Sequence, residues 1–501
     1  MKKTLSGLLC MVLLIISCSP LASAANTRDA DLSFELTLAS QLKRLGLFEG
    51  VGANKDGTVN FELNRAPTRV ESVAMLVRAL GKEAAAEQMS KTHPFTDVPA
   101  WADGYVSYAY DQQLAKGVSE KKFGSNEPAT AQMYLTFLLR ALGYTEGEYE
   151  DFVWDAPWAL ASWCKILPIR VNTKDFLRAD VVDVTCAALF ANLRGSETLL
   201  KDKLASDGVF TSVQFSEAFP QDPFADDRTI SAQITKAIDD FYPLGMLDDN
   251  LYVNECHYIT DVRTDNGEIT VTVLVCYGTH TLGKENTISG QGSSYAPWLV
   301  TLDAKTLALK SYQTAGQLDP TGLNKKQYFS QETLDTLDSI RFDMAGVCSL
   351  AAELQVANGS IAYKQYTYEE SLAKTKASVG EVLQTLETDS YTALLGRTKD
   401  IFENGETIRG RCVLYLIFKG GSSRDIGDIL SYSFNEEEGT LTISSDGNVI
   451  TYIYPYSNGN LGLGLTPTAM HELGHAGKGT VTYEIDLKEG VDSWKIMQTE
   501  D

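Results

Sequence analysis

A helical pattern that occurs three times in the first half of the chain sets the strongest limit on its fold. Each copy has a helix-forming segment, a glycine-containing turn, a loop with a phenylalanine and a second helix. The second helices are expected over residues 68–80, 130–142 and 177–193. Positions 69, 131 and 178 match one another, and their unequal spacing excludes a regular solenoid.

The second helices have start signals and an apolar face. Thr68 and Thr130 are natural N-caps, and Glu71 completes a capping box with Thr68. Apolar residues then recur every three or four positions, as at Val73 and Leu76. Because an amphipathic helix cannot bury its apolar face alone, the three copies are expected to pack together as one helical bundle.

The second copy carries a family resemblance. Residues 95–144 read FTDVPAWADGYVSYAYDQQLAKGVSEKKFGSNEPATAQMYLTFLLRALGY. This segment resembles an S-layer homology (SLH) repeat, whose pattern is Phe-x-Asp-Val, Trp-Ala, a glycine loop, Phe and a Thr-Arg-Ala-Glu helix start. The resemblance covers residues 35–81, 95–144 and 148–195. It implies an all-α bundle of three repeats around a pseudo-threefold axis. Its implied partner is a peptidoglycan-linked secondary cell wall polymer, commonly one with a ketal-linked pyruvate.

Arginines at helix starts give that implied function a chemical basis. Arg69 and Arg178 match the family's arginine, and Glu71 and Asp180 match its acidic residue. A guanidinium in the first turn lies beside backbone amides that have no helical partner. The sequence therefore predicts that amides and guanidinium together bind a sugar-borne carboxylate.

The same matching makes Asp97, Trp101 and Trp158 candidates for the polymer groove, since aromatic faces suit sugar rings. The alternative is that both tryptophans only fill the bundle core and that the two arginines are solvated.

Several positions depart from the family pattern. The second copy has Ala131 in place of the arginine and Met133 in place of the acid, while the third has Trp154 in place of the entrance aspartate and Leu177 in place of the capping threonine. One or two functional grooves are therefore expected, rather than three.

Charge and length exclude some functions. The 501 residues include 66 acidic and 43 basic side chains, which gives a formal charge of −23. Such a surface repels phosphate backbones and anionic lipids, so no nucleic-acid partner is expected. The length predicts several domains.

The N-terminus has the features of an export signal. Lys2 and Lys3 precede an apolar run over residues 5–16, and small residues follow at 22–24, so residues 1–24 are predicted as a signal peptide. The alternative is a lipobox with lipidation at Cys18. No later run reaches the ~18 apolar residues of a spanning helix. We expect a secreted protein at the cell wall or S-layer surface.

The second half predicts modules without a recognisable site. Residues 196–227 are turn-rich and are predicted as a linker. An α+β module is expected over 228–360, and a mostly antiparallel β-rich module over 361–501, with an interrupted helix near 366–395. These modules have no assigned role.

A short motif near the C-terminus raises an enzymatic alternative. His471, Glu472 and His475 fit the His-Glu-x-x-His pattern of zinc metallopeptidases. Gly474, Gly477 and Gly479 leave little room for the required helix, and no third ligand stands at the expected spacing. We therefore expect a noncatalytic protein without a cofactor, with a wall-anchored zinc peptidase as the alternative.

The mature chain's six cysteines contain no Cys-x-x-Cys pair. A two-residue turn at Asn266-Gly267 would place Val262 opposite Val271 and Cys256 opposite Tyr277. Since that register puts Cys256 and Cys276 on opposite faces, buried free thiols are predicted rather than a disulfide.

Overall fold

The computed structural model describes part of the chain, which divides into two compact units, one ending at Tyr363 and the other beginning at Lys364. The described residues are 31–148, 150–248, 250–398, 401–403, 406–408, 412–419, 426–434, 440–445, 449–457, 478–486 and 494–500. The predicted signal peptide with Cys18 and the motif formed by His471, Glu472 and His475 lie outside these residues.

The first unit begins with helices and one small hairpin. Their bounds are α1 Ser33–Arg44, β1 Gly52–Ala53, β2 Val59–Asn60, α2 Arg69–Ala79, α3 Glu83–Glu87, α4 Asp103–Asp111, α5 Ala131–Ala141, α6 Trp158–Trp163, α7 Arg178–Leu189, α8 Leu200–Ser206 and α9 Ser212–Ala218. A short 3-10 helix, Ala100–Ala102, precedes α4.

The second helices of the three copies, α2, α5 and α7, contact one another. Their caps follow from the sequence. Thr68 and Glu71 form the predicted capping box at α2, and the Thr130 hydroxyl accepts from the Met133 amide at α5. At α7, where Leu177 has no side-chain acceptor, Asp180 accepts from the Leu177 amide at 2.8 Å. These three helices therefore start where the sequence predicts.

Loops of one copy pack onto the helix start of another. The loop before α5 meets the start of α2, and the loop before α2 meets the start of α7, through backbone hydrogen bonds. The four bonds are Arg69 N to Glu127 O (2.8 Å), Val70 N to Ser125 O (3.2 Å), Arg178 N to Arg65 O (2.9 Å) and Ala179 N to Leu63 O (3.1 Å). The copies interlock rather than merely stack.

Residues 196–227 are folded, so the prediction of a linker is wrong. They form α8 and α9, and Phe215 packs on Phe190 and Phe219 with ring centroids 5.6 and 5.3 Å apart. Leu200 and Leu204 are buried in the same core. Glycines and prolines here separate short packed helices instead of marking an extended connection.

The α+β part contains a five-stranded antiparallel sheet in the order β3-β4-β5-β6-β7. The bounds are α10 Ala225–Phe241, β3 Gly245–Asp248, β4 Leu251–Asp265, β5 Glu268–Leu282, β6 Ile288–Asp303, β7 Leu309–Thr314, α11 Ala315–Leu318 and α12 Gln331–Ala357. Val273 and Val275 of β5 share a core with Ile234 of α10. Alternate residues Leu274 and Cys276 share the other core with α12, so helices cover both faces.

A β-bulge corrects the predicted hairpin register. Val262 pairs with Val271 as expected, but the ladder shifts between Ile259 and Asp261. One extra residue on β4 places Cys256 opposite Cys276, not opposite Tyr277. Both sulfurs are buried and free, so the predicted free thiols are confirmed for these two although the register is wrong.

The predicted boundary between bundle and α+β module is not a break in the packing. Helix α6 contacts β4 and α12. Leu160 of α6 lies in one core with Cys256, Leu274 and Met344. The helical bundle and the sheet therefore form one compact unit.

The second unit is mostly antiparallel β structure. Its elements are α13 Tyr368–Ser378, β8 Val379–Glu387, β9 Tyr391–Thr398, β10 Ile401–Glu403, β11 Glu406–Ile408, β12 Cys412–Lys419, β13 Ile426–Phe434, β14 Thr440–Ile443, β15 Val449–Ser457, β16 Lys478–Asp486 and β17 Trp494–Glu500. The described strands form four-stranded sheets ordered β13-β12-β9-β8 and β14-β15-β16-β17, and a hairpin of β10 and β11.

The interrupted helix expected near residues 366–395 is only partly present. Helix α13 ends at Ser378, and a turn in which Thr388 N donates to Tyr391 O joins β8 to β9.

None of the described helices has the length and apolar stretch that a membrane crossing requires.

Truncation of a phenylalanine in α9 tests whether residues 196–227 belong to the folded core. We expect Phe215→Ala to lower the free energy of unfolding by about 3 kcal/mol, because a buried aromatic ring leaves a cavity. Urea denaturation measures this. The control is Val213→Ala on the same helix, whose side chain is 66% exposed, with an expected change below about 0.5 kcal/mol. Equal small effects of the two substitutions would restore the linker interpretation.

Candidate functional site

The two predicted arginines occupy equivalent places at helix starts. Arg69 is the first residue of α2 and Arg178 is the first residue of α7. Their exposed fractions are only 6% and 3%. The alternative that these arginines are solvated is therefore wrong.

Arg69 is enclosed by apolar and neutral groups. Its guanidinium donates to the Met133 sulfur and to the Lys116 carbonyl oxygen, both at 2.7 Å. It lies 5.1 and 5.7 Å from the ring centroids of Phe123 and Phe137. Its Nε is buried without a hydrogen-bond partner. One donor of this cation is thus unsatisfied.

Arg178 has a similar environment. Its Nε donates to the Phe61 carbonyl oxygen at 2.8 Å, and its guanidinium lies 5.5 Å from the Phe48 ring centroid. Burial lowers the pKa of both Arg69 and Arg178. Within the described part of the chain, no carboxylate forms an ion pair with either guanidinium. The nearest carboxylates lie beyond ion-pair distance: the charge of Glu127 acts on Arg69, and the charges of Glu71 and Glu62 act on Arg178, only from farther away.

The backbone amides of these helix starts are not free, which corrects the predicted binding mode. The first two amides of α2 and of α7 donate to carbonyls of a neighbouring copy. The Glu71 amide donates to the Thr68 hydroxyl. These amides therefore hold the bundle together and are not available to an anion.

A first arginine cluster, Arg65, Arg78 and Arg178, lies where α2 and α7 approach. The positive charges of Arg65 and Arg78 help lower the pKa of Arg178 after burial, so the three cations are close. Arg65 forms a bidentate pair with Glu71, at 2.7 and 2.9 Å. That pairing outweighs partial burial and lowers the pKa of Glu71 to about 2.

Arg78 of this first cluster also contacts an aromatic group. It pairs with Glu83 at 2.6 Å and lies 5.1 Å from the Tyr105 ring centroid. Trp101, which is 54% exposed, packs edge-on against Tyr105 with centroids 6.4 Å apart. An exposed aromatic face therefore stands next to the first arginine cluster.

A second arginine cluster, Arg69 and Arg140, has the same construction. Burial and the charge of Arg69 lower the pKa of Arg140 to about 10. Arg140 pairs with Glu146 and lies 5.8 Å from the ring centroid of Trp154, which is 37% exposed. Lys116 approaches Glu146 at 3.4 Å. This cluster too combines a buried arginine, a paired arginine and an exposed tryptophan.

Sequence reasoning missed Arg65, Arg78, Arg140 and the role of Trp154. Two of these arginines could have been found by matching the helix ends, because Arg78 and Arg140 are each the penultimate residue of their helix. A match of the helix starts alone does not reveal them.

The remaining predicted residues support the clusters in different ways. Asp97 accepts the amides of residues 123–125 at 2.8, 2.9 and 3.3 Å, and so fixes the loop that packs on α2. Asp180 accepts from the Leu177 and Asn172 amides. Trp158 is half-buried against the core, as the packing alternative expects. These three residues position the bundle, whereas Trp101 faces outward.

No family model matches the chain. A 139-residue segment is 34% identical to a cell surface protein of Thermoanaerobacter kivui, covering 26% of this chain and 18% of that protein. A 149-residue segment is 32% identical to a surface layer protein of Brevibacillus choshinensis, covering 29% and 13%. A 154-residue segment is 31% identical to the middle cell wall protein of Brevibacillus brevis, covering 29% and 14%.

These matches span less than a fifth of each relative. All three names describe proteins of the cell surface or cell wall, and they confirm the predicted location at the cell wall or S-layer surface. None of the three names denotes an enzyme.

Substitution of Arg69 by methionine tests whether its buried charge is uncompensated. In the absence of ligand, we expect Arg69→Met to raise the free energy of unfolding by about 1 kcal/mol or more. The reason is that removing a buried charge recovers its desolvation energy. The control is Arg194→Met, which removes a bidentate pair with Asp151 and should lower stability by about 1 kcal/mol. Chemical denaturation measures both, and a loss of about 2 kcal/mol for Arg69→Met would contradict the interpretation.

Proposed function

We propose that residues 35–195 are an SLH-type domain that anchors the protein to the cell wall by binding an acidic glycan. The observation that carries this proposal is the pair of buried arginines, Arg69 and Arg178, neither of which forms an ion pair within the described part of the chain. The similarity to surface layer and cell wall proteins supports the same conclusion.

The chemistry of the two clusters suits a carboxylate on a sugar. Leaving a guanidinium buried and unpaired costs several kcal/mol, roughly, and an anionic ligand would offset that cost. A ketal-linked pyruvate presents such a carboxylate. Exposed faces of Trp101 and Trp154 suit the sugar rings.

The arrangement supports two binding sites per chain. Each cluster combines the arginine at one helix start with the penultimate arginine of another second helix. A third site would combine the start of α5 with the last turns of α7. Both matching positions there are alanine, Ala131 and Ala187. Two weak sites on one rigid bundle would strengthen attachment to a repeating polymer through avidity.

In this proposal the sheet module and the β-rich unit are presented outward from the wall. No described residue group favours the zinc peptidase alternative, because its motif lies outside the described residues. Anchoring through a lipid at Cys18 would not need the arginines, so it makes a different prediction in the experiment below.

Sedimentation with purified cell walls tests the proposal. The mature protein should bind, and the double variant Arg69→Met, Arg178→Met should lose at least ~10-fold in affinity, because each site loses its charge-assisted bonds. Circular dichroism checks that the variant remains folded.

The matched control for wall binding is Arg263→Met, an arginine whose side chain is 74% exposed and pairs with Asp261. It should bind like the unmodified protein. Walls stripped of pyruvate should bind weakly. If the folded double variant binds the walls as well as the unmodified protein, the proposal is wrong.

A further inference from the structure

A serine, a histidine and a glutamate form a hydrogen-bonded chain away from the arginine clusters. Ser231 Oγ of α10 lies 2.7 Å from His257 Nε2 of β4. His257 Nδ1 lies 2.9 Å from a carboxylate oxygen of Glu255. Ser231 is 6% and His257 2% exposed. These distances are those of a nucleophile, a general base and a carboxylate that orients the base.

The partners fix the protonation of the imidazole. Glu255 has only acceptor oxygens when ionised, and its interactions with His257, Lys165 and Thr235 lower the pKa of Glu255 despite burial. His257 Nδ1 must therefore carry the proton and donate to Glu255. Burial lowers the pKa of His257, so the ring is neutral near pH 7. Its Nε2 is then an acceptor, and the Ser231 hydroxyl at 2.7 Å is a closer donor to it than the Lys165 ammonium at 3.5 Å.

The bond made by Ser231 is unusual for a serine inside a helix. Hydroxyl groups in helices commonly bond back to the carbonyl four residues earlier, as Thr229 does to Ala225 at 2.8 Å. Ser231 instead directs its hydroxyl to the imidazole across to the sheet. The serine is thus held in the orientation that proton transfer to His257 requires.

A cavity of about 40 Å³ opens onto this pair of side chains. Ser231, His257 and Lys165 line it, together with apolar Phe224 and the charged residues Asp227 and Arg228. Lys165 has a left-handed φ of 59° and places its ammonium 3.5 Å from His257 Nε2. A left-handed residue is common just after the end of a helix, here α6. The ammonium is a cation beside the Ser231–His257 pair, where it can stabilise an oxyanion.

We propose that Ser231 is the nucleophile of a site that cleaves small esters of acetyl size. The cavity volume is that of a few water molecules, which limits the acyl group to a short one. The site does not include Arg69 or Arg178, so it does not depend on the wall-binding function.

The reaction follows from the positions of the atoms. Ser231 Oγ bonds to the carbonyl carbon of the ester as its proton passes to His257 Nε2, and Lys165 stabilises the oxyanion. The imidazolium then gives that proton to the departing alkoxide as the ester C–O bond breaks. Water, deprotonated by the same nitrogen, attacks the acyl-serine and releases the carboxylic acid, and the proton returns to Oγ. Glu255 keeps the imidazole oriented throughout.

Methanesulfonyl fluoride tests the nucleophile, because it is small enough for the cavity and sulfonylates activated serines irreversibly. The serine oxygen bonds to sulfur, and fluoride leaves with the serine proton. Mass spectrometry of the full mature chain should show one sulfonyl group, located at Ser231. Ser231→Ala should abolish it, and His257→Gln should slow it at least ~100-fold through loss of the general base.

The matched control is Ser349→Ala on α12, a half-buried serine that bonds only to a helix carbonyl in the described structure. The Ser349→Ala variant should be labelled at Ser231 to the same extent as the unmodified chain. A merely structural hydrogen-bond chain predicts no adduct at Ser231 in the unmodified chain, and that result would overturn the proposal. Labelling at the same rate after His257→Gln would overturn it too, whatever the stability of the variants.

Discussion

Two positive charges buried at helix starts, on Arg69 and Arg178, are the constraint around which the bundle is organised. The positive end of the helix dipole disfavours a cation there, and neither guanidinium forms an ion pair in the described part of the chain. Carbonyl oxygens of Lys116 and Phe61 and the rings of Phe123 and Phe48 enclose the guanidinium groups. Such an arrangement sacrifices stability in the free protein and is understandable if an anion binds there.

The interlocked loops explain how these arginines are held in place. Because carbonyls of one copy occupy the first amides of another copy's helix, a helix start cannot move without disturbing its neighbour. Asp97 secures one of the crossing loops through three amides. The core that stabilises the bundle continues through α6 into the sheet and α12. The arginines are therefore held in place by the whole unit that ends at Tyr363.

Much of the helical half could be predicted from the sequence, because its signals are local. Thr68, Glu71 and Thr130 act as caps as their spacing indicates, and Arg69 and Arg178 do stand at helix starts. What failed depends on tertiary contacts. The extra residue on β4 that sets Cys256 opposite Cys276 leaves no local trace, and turn-rich composition alone does not distinguish a linker from short packed helices such as α9. The amides at the helix starts looked free only because the crossing loops are distant in sequence.

Calorimetric titration of the mature protein with a pyruvylated sugar, against the same sugar without its pyruvate, tests the central claim most directly. The account predicts binding of the pyruvylated sugar at close to two sites per chain, weakening with added salt, and no measurable binding of the neutral sugar. Equal binding of both sugars, or no binding of either at millimolar concentration, would contradict the assignment of the buried arginines as carboxylate receptors.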